Sequence, residues 1–226
     1  MIRALIFDFD GLILDTEVPV YQSWQELYLA HQCNFSLELW LDYVGTSEGN
    51  FDPLADLERQ LSCSLDRGVV ESARRQREAE LIAQQGAMPG VEEYLISARR
   101  LGLRLALASS ASCAWVTTHL DRLDFTDHFD CILGRDDVAR TKPSPELFLS
   151  ALDSLAVSPA EAIVFEDSLN GVLAARQAGI FCVAVPNAVT RHLTLDQADF
   201  RLNSLADLSL EQLLELVNHR NGGHQP

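Results

Sequence analysis

From Val91 onward the chain alternates helical periods with short apolar runs, and no other feature of its 226 residues constrains the fold as strongly. The runs at 103–108, 130–133, 162–165 and 180–184 read as strands. The segments near 91–101, 113–121, 145–156, 169–178 and 207–217 read as helices. Strands separated by helices imply a parallel sheet with right-handed crossovers. A further apolar run, Ala4 to Phe7, fits a fully buried strand of the same sheet.

Between this first strand and the next, the period is helical throughout. Val20, Trp24, Leu27, Tyr28 and His31 share one face, Leu54, Leu57 and Leu61 recur at helical spacing, and a long charged helix is expected from about Asp66 to Gln85. It ends in Gln85-Gly86-Ala87-Met88-Pro89-Gly90, a Gly/Pro-rich break. Residues 17–86 therefore read as an all-helical insertion into a core made of 1–16 and 87–226.

The first strand stops abruptly in carboxylates: Asp8-Phe9-Asp10-Gly11, then Asp15-Thr16. Ligands of open α/β sheets bind beyond the carboxyl ends of strands, and two acids there repel each other unless a cation sits between them. Three later segments carry the same signature. Ala106-Leu107-Ala108-Ser109-Ser110 is an apolar run ending in hydroxyls, Thr141-Lys142-Pro143 places one lysine before a proline, and Ile163-Val164-Phe165-Glu166-Asp167-Ser168 again ends in acids. In this order the four segments resemble the motifs of the haloacid dehalogenase-like superfamily, closest to the branch of β-phosphoglucomutases and small-molecule phosphatases that opens on D-x-D-G-x-x-x-D-T. The resemblance implies an α/β fold, a Rossmann-like parallel-sheet core with an inserted helical cap.

It also implies roles. Asp8 is the expected nucleophile, since an ionised carboxylate can attack phosphorus and form an aspartyl phosphate. Asp10 is the expected general acid and base, and its presence argues for phosphate chemistry, because dehalogenase members lack this second acid. Mg²⁺ is the expected cofactor, on Asp8, the backbone carbonyl of Asp10, and Asp167, with Glu166 either a direct ligand or behind one. No thiolate or imidazole cluster accompanies the acids, which disfavours zinc. Ser109 and Ser110 are candidate phosphate ligands ahead of a helix, although either could equally be a helix cap. Lys142 matches the family's lysine, with Arg140 as the other cation near that loop. Glu166-Asp167-Ser168 could also serve as a helix N-cap.

A formal net charge of −16 repels polyanions, so neither nucleic acid nor an acidic membrane is an expected partner. The one basic run, Arg74-Arg75-Gln76-Arg77, reads as the solvated face of a helix. Five scattered cysteines without a C-x-x-C pair read as reduced, buried thiols, and Cys113 as inert packing rather than a nucleophile. Trp24, Trp40 and Trp115 read as core. With no signal-peptide pattern or membrane-length apolar run, the expectation is a cytoplasmic monomer.

The expected specificity segment is Gly45-Thr46-Ser47-Glu48. In the mutases the residue after G-x-S is an arginine that grips a second phosphate, and Glu48 stands there. The same mutases carry a histidine at the position of Val20. Both departures favour water as the phosphoryl acceptor: a phosphatase of small phosphomonoesters such as phosphosugars, with a phosphosugar mutase as the alternative. Thr16 and 86–89 are the expected hinges.

Overall fold

The computed structural model describes residues 1–44 and 51–222. Six parallel strands run β1 (Ala4–Phe7), β2 (Arg104–Ala108), β3 (Cys131–Leu133), β4 (Ala162–Glu166), β5 (Phe181–Ala184) and β6 (Phe200–Arg201) in chain order. In space their order is β3-β2-β1-β4-β5-β6. The chain thus starts at the centre, builds outward through β2 and β3, and returns to the other side of β1. That reversal opens a crevice between β1 and β4 at their carboxyl ends, where open α/β sheets hold ligands.

Strand alternation sorts the core into two layers. Leu5, Phe7, Leu105, Leu107, Ile163 and Phe165 face α5 (Val91–Arg100), α6 (Cys113–Arg122) and α9 (Leu210–Gly222). Ala4, Ile6, Ala106, Ala108, Ala162 and Val164 face α7 (Glu146–Leu155) and α8 (Leu169–Ala178), and these alternate residues are small enough for the two helices to approach closely. Phe165 stacks on Phe7 at 4.8 Å and meets Tyr94 edge-on at 5.6 Å, so truncating Phe7 to alanine should cost about 3–5 kcal/mol.

The expected helices and the first five strands are present with boundaries shifted by a few residues. The two-residue β6, which carries no apolar run long enough to read, was not foreseen. The insertion comprises α1 (Glu17–Ala30), α2 (Leu37–Val44), α3 (Pro53–Leu61) and α4 (Arg67–Ala83). Two of these helices, α3 and α4, start on acids: Asp52 accepts the N–H groups of Leu54 and Ala55, and Asp66 that of Val69. Trp24, Tyr28, Phe35, Trp40 and Leu57 form a cluster separate from both sheet layers. The two chain crossings into the insertion lie side by side, with Leu14 bridging Ala87 and the N–H of Met88 donating to the Ile13 carbonyl at 2.8 Å.

Three expectations need correction. Arg74 is buried rather than solvated: its guanidinium lies 4.5 Å from the Trp24 ring centre, donates to Ser23 at 3.0 Å, and is flanked by Glu71 and Glu78. Of the five cysteines, all unpaired, only Cys182 is buried, and Cys63 is exposed. Trp115 is not simply core, as described below. Among the described residues no helix is long and apolar enough to cross a membrane.

Candidate active site

Each site residue follows the carboxyl end of a strand. Asp8 follows β1, Ser109 follows β2, Lys142 lies on the loop after β3, and Glu166 and Asp167 close β4. Parallel pairing of β1 with β4 sets Phe7 against Phe165, which brings Asp8 beside the two acids. Asp8, Glu166 and Asp167 are buried and offer carboxylate oxygens within 4.8 Å of one another.

Lys142 holds this cluster. Its Nζ lies 2.5 Å from both Asp8 Oδ1 and Glu166 Oε1, 4.9 Å from the Phe148 ring centre, and its side chain is 4% exposed. Burial pulls its pKa down, but the charges of Asp8 and Glu166 outweigh it and hold the ammonium above its ordinary range. Arg140, the other cation considered, is 78% exposed and paired with Glu146, so it stands outside the site.

Glu166 spends both oxygens, Oε1 on Lys142 and Oε2 on the N–H and hydroxyl of Ser168. Asp167 Oδ2 accepts from Asn187 Nδ2 at 2.7 Å and from Thr190 Oγ1 at 3.4 Å. Among the described residues no hydrogen-bond donor reaches Asp8 Oδ2 or Asp167 Oδ1. Burial, then Asp8 and Glu166, push Asp167 well above the carboxylate range; burial and Asp8 push Glu166 up also. Three buried carboxylates against one lysine fit a hard divalent cation on oxygen donors.

Asp10 lies apart from these three. Its Oδ1 accepts from Trp115 Nε1 at 3.0 Å and its Oδ2 from the Ser109 hydroxyl at 3.2 Å. Burial and the charge of Asp8 raise its pKa to about 6, against the pull of those two hydrogen bonds. Ser109 is buried and also accepts the Ala111 N–H at 2.9 Å, whereas Ser110 is exposed. Neither caps the next helix; Ser112 does, accepting the N–H of Trp115. On β4 the cap is likewise Ser168, accepting from Gly171 N, while the two acids turn inward.

Two glycines make room for the cluster. Gly11 has φ +81°, and a Cβ there would come 2.4 Å from Asp167 Oδ2. At Gly171 a Cβ would fall 1.8 Å from the carboxyl carbon of Glu166.

A cleft of about 640 Å³ opens onto Asp10. The walls include Thr16, Glu17 and Val20 of the insertion's first helix region, Arg74, Arg75 and Glu78 of α4, and Ser110, Trp115 and Arg135 of the sheet domain's loops. Burial, then Asp10, Asp15, Asp8 and Glu78, raise Glu17 to about 7. Cys113 is no nucleophile: burial and its hydrogen bond to Asp137 push the thiol up to about 11.

The segment Gly45-Thr46-Ser47-Glu48 lies outside the described residues. Sequence reasoning missed Trp115, Glu17 and Asn187. Glu17 directly follows the D-T pair and could have been flagged. Asn187, on the loop after β5, carried no local signal.

The model of the family described as haloacid dehalogenase-like hydrolase matches residues 5–185. The Bacillus subtilis (strain 168) protein YhcW, named as a candidate phosphatase, is 46% identical over 98% of this chain and 100% of its own. A Thermotoga maritima protein named phosphorylated carbohydrates phosphatase is 32% identical over 79% of this chain and 82% of its own. The crystal structure of CbbY from Rhodobacter sphaeroides in complex with phosphate matches with a TM-score of 0.71 and 32% identity, over 94% of this chain and 99% of that one.

Proposed function

We propose that this chain, which belongs to the haloacid dehalogenase-like hydrolase family, is a phosphatase of small phosphorylated carbohydrates working through an aspartyl phosphate on Asp8. The observation that carries this reading is Lys142 clamped between Asp8 and Glu166 with Asp10 two residues beyond the nucleophile. The name of the Thermotoga phosphatase supports the substrate class, and the phosphate in the CbbY structure supports phosphate chemistry.

In this account the substrate phosphate is held by Lys142, by Ser110 and by backbone N–H groups of the loop after β2. Asp8 attacks phosphorus, and the bond to the alkoxide breaks as Asp10 delivers its proton to the departing oxygen. Asp10, now a carboxylate, takes a proton from water, which attacks the phosphorus of the aspartyl phosphate and releases Asp8 and inorganic phosphate. A pKa near 6 suits both halves of that cycle. Asp8, Asp167 and the Asp10 carbonyl would hold Mg²⁺, with Glu166 behind them because both its oxygens are engaged. When bound, the ion neutralises charge on the transferring phosphoryl oxygens and orients them.

Residues 17–86 act as a cap over a core of 1–16 and 87–226, limiting access to small substrates, with the paired crossings at Leu14 and Ala87 as the moving joint. Val20 lines the cleft and offers no proton donor, which favours water over a sugar hydroxyl as acceptor. Phosphate release from a panel of phosphosugars and one aryl phosphate, with and without Mg²⁺, tests the proposal. Metal-dependent release by the wild type and its loss in Asp8→Asn are expected; isomerised product without free phosphate would instead indicate a mutase.

A further inference from the structure

The loop after β5 belongs to the sheet domain, yet one of its side chains is buried in the insertion. Val189 is 2% exposed and packs in the cluster of Trp24, Tyr28, Phe35, Trp40, Leu54 and Leu57; among the described residues of that cluster it alone comes from outside 17–86. Two positions earlier on the same loop stands Asn187, whose side chain holds Asp167. A contact with the insertion and a contact with a candidate metal ligand thus lie within one short turn.

That turn transmits displacement because a single carboxamide ties its two ends together. Asn187 Oδ1 accepts the N–H groups of Val189 at 2.9 Å and Thr190 at 3.0 Å, while Nδ2 donates to Asp167 Oδ2 at 2.7 Å and to the Gly11 carbonyl at 3.3 Å. Two N–H donors at one end and two oxygen acceptors at the other admit only this orientation of the amide. Thr190 closes the ring: its hydroxyl accepts the Asn187 N–H at 3.0 Å and donates to the same Asp167 oxygen at 3.4 Å. Asn187 and Thr190 are both buried, so a hydrogen bond lost by a shift of the turn is not readily replaced by water.

The middle of the loop is poorly braced. Ala188 is exposed and lines two cavities, one of about 400 Å³ that also touches Met88 and Pro89, and one of about 670 Å³ that also touches Tyr21 and Phe35 of the insertion. A segment bordered by voids forgoes the contacts that would fix it there, so the seat of Val189 decides where the turn rests.

Resting on the Mg²⁺ site proposed above, we infer that Val189 is a positioning residue for that site: its seat in the insertion's aromatic cluster holds the turn where Asn187 and Thr190 orient Asp167. It acts through the Asn187 carboxamide rather than by touching the acids. Metal affinity therefore depends on the insertion being seated, and by linkage the bound metal favours the seated insertion by the same factor.

Isothermal titration of the full chain with Mg²⁺ alone, without substrate, is the test. Val189→Ala should weaken Mg²⁺ binding by about three- to tenfold, less than loss of the group that orients the ligand directly. Val189→Thr, which keeps the shape and sets a hydroxyl among the rings, should weaken it in the same direction, and Val189→Ile, with room in the adjoining cavity, should keep the wild-type affinity. Val217→Ala, the same truncation of a buried valine on α9, should lower the melting temperature yet leave Mg²⁺ affinity unchanged. In an Asn187→Leu background, Val189→Ala should have no further effect on affinity, because its influence passes through that carboxamide. Unchanged affinity in Val189→Ala and Val189→Thr, an equal loss in Val217→Ala, or full additivity with Asn187→Leu would overturn the coupling and leave the Mg²⁺ site standing. A wild type that binds no Mg²⁺ would overturn the site and the coupling with it.

Discussion

Lys142 Nζ lies 2.5 Å from Asp8 Oδ1 and is shielded from solvent, so a buried cation sits directly on the proposed nucleophile. The pair is not a surface ion pair of marginal value. Removing one partner strands uncompensated charge in a low-dielectric interior, at a cost of about 3–5 kcal/mol.

Lys142→Met should therefore lower kcat/KM by at least about 100-fold and also lower the melting temperature at neutral pH. The stability loss should shrink as pH falls, because Glu166, already pushed upward by burial and Asp8, takes up a proton once its lysine is gone. Thermal denaturation across pH, alongside steady-state kinetics, checks both parts.

Asp10 must carry a proton to protonate an alkoxide, and its pKa is about 6. Activity on alkyl phosphates should fall as pH rises through that value, whereas an aryl phosphate, whose leaving group needs little help, should show a flatter profile. The Trp115 hydrogen bond favours the charged carboxylate, so Trp115→Phe should move the limb to higher pH. A pH profile of kcat/KM on the two substrate types measures the shift.

Glu17 gives a stability signature separable from catalysis. Its folded-state pKa of about 7 lies above the unfolded value near 4.3, so the folded state binds the extra proton and the wild type loses stability as pH rises between those two values. Glu17→Gln should accordingly be more stable than the wild type at about pH 8 and equal to it at about pH 4. Denaturant titrations at the two pH values decide it.

Asn187 fixes Asp167 through its Nδ2 while its Oδ1 receives the N–H groups of Val189 and Thr190. Asn187→Leu should weaken Mg²⁺ binding by about 10–100-fold, as loss of a group orienting a metal ligand does. Isothermal titration with the metal alone reads the effect without relying on turnover.

How much of this could be read from the sequence depended on how local each signal was. Strands such as Ala4–Phe7 and Ala162–Glu166 are short apolar runs ending in acids, so both their existence and the placing of Asp8, Glu166 and Asp167 at one sheet edge were legible. Alternation implied the parallel sheet, but the strand order came only from the structure. Arg74 and Trp115 were misjudged for a common reason: their surroundings are assembled by contacts 51 and 105 residues away, which helical periodicity does not encode. Asn187 likewise acts on Gly11 and Asp167 across 176 and 20 residues of chain. Ser112 and Ser168 took the capping roles, which left the exposed Ser110 to line the cleft and the two acids to face inward.

The covalent role of Asp8 is tested most directly by the stereochemical course at phosphorus, followed with an isotopically labelled chiral phosphate ester turned over by the wild type. Two successive in-line displacements, first by Asp8 and then by water, predict net retention of configuration. Net inversion would mean a single direct attack by water and would contradict Asp8 as the nucleophile.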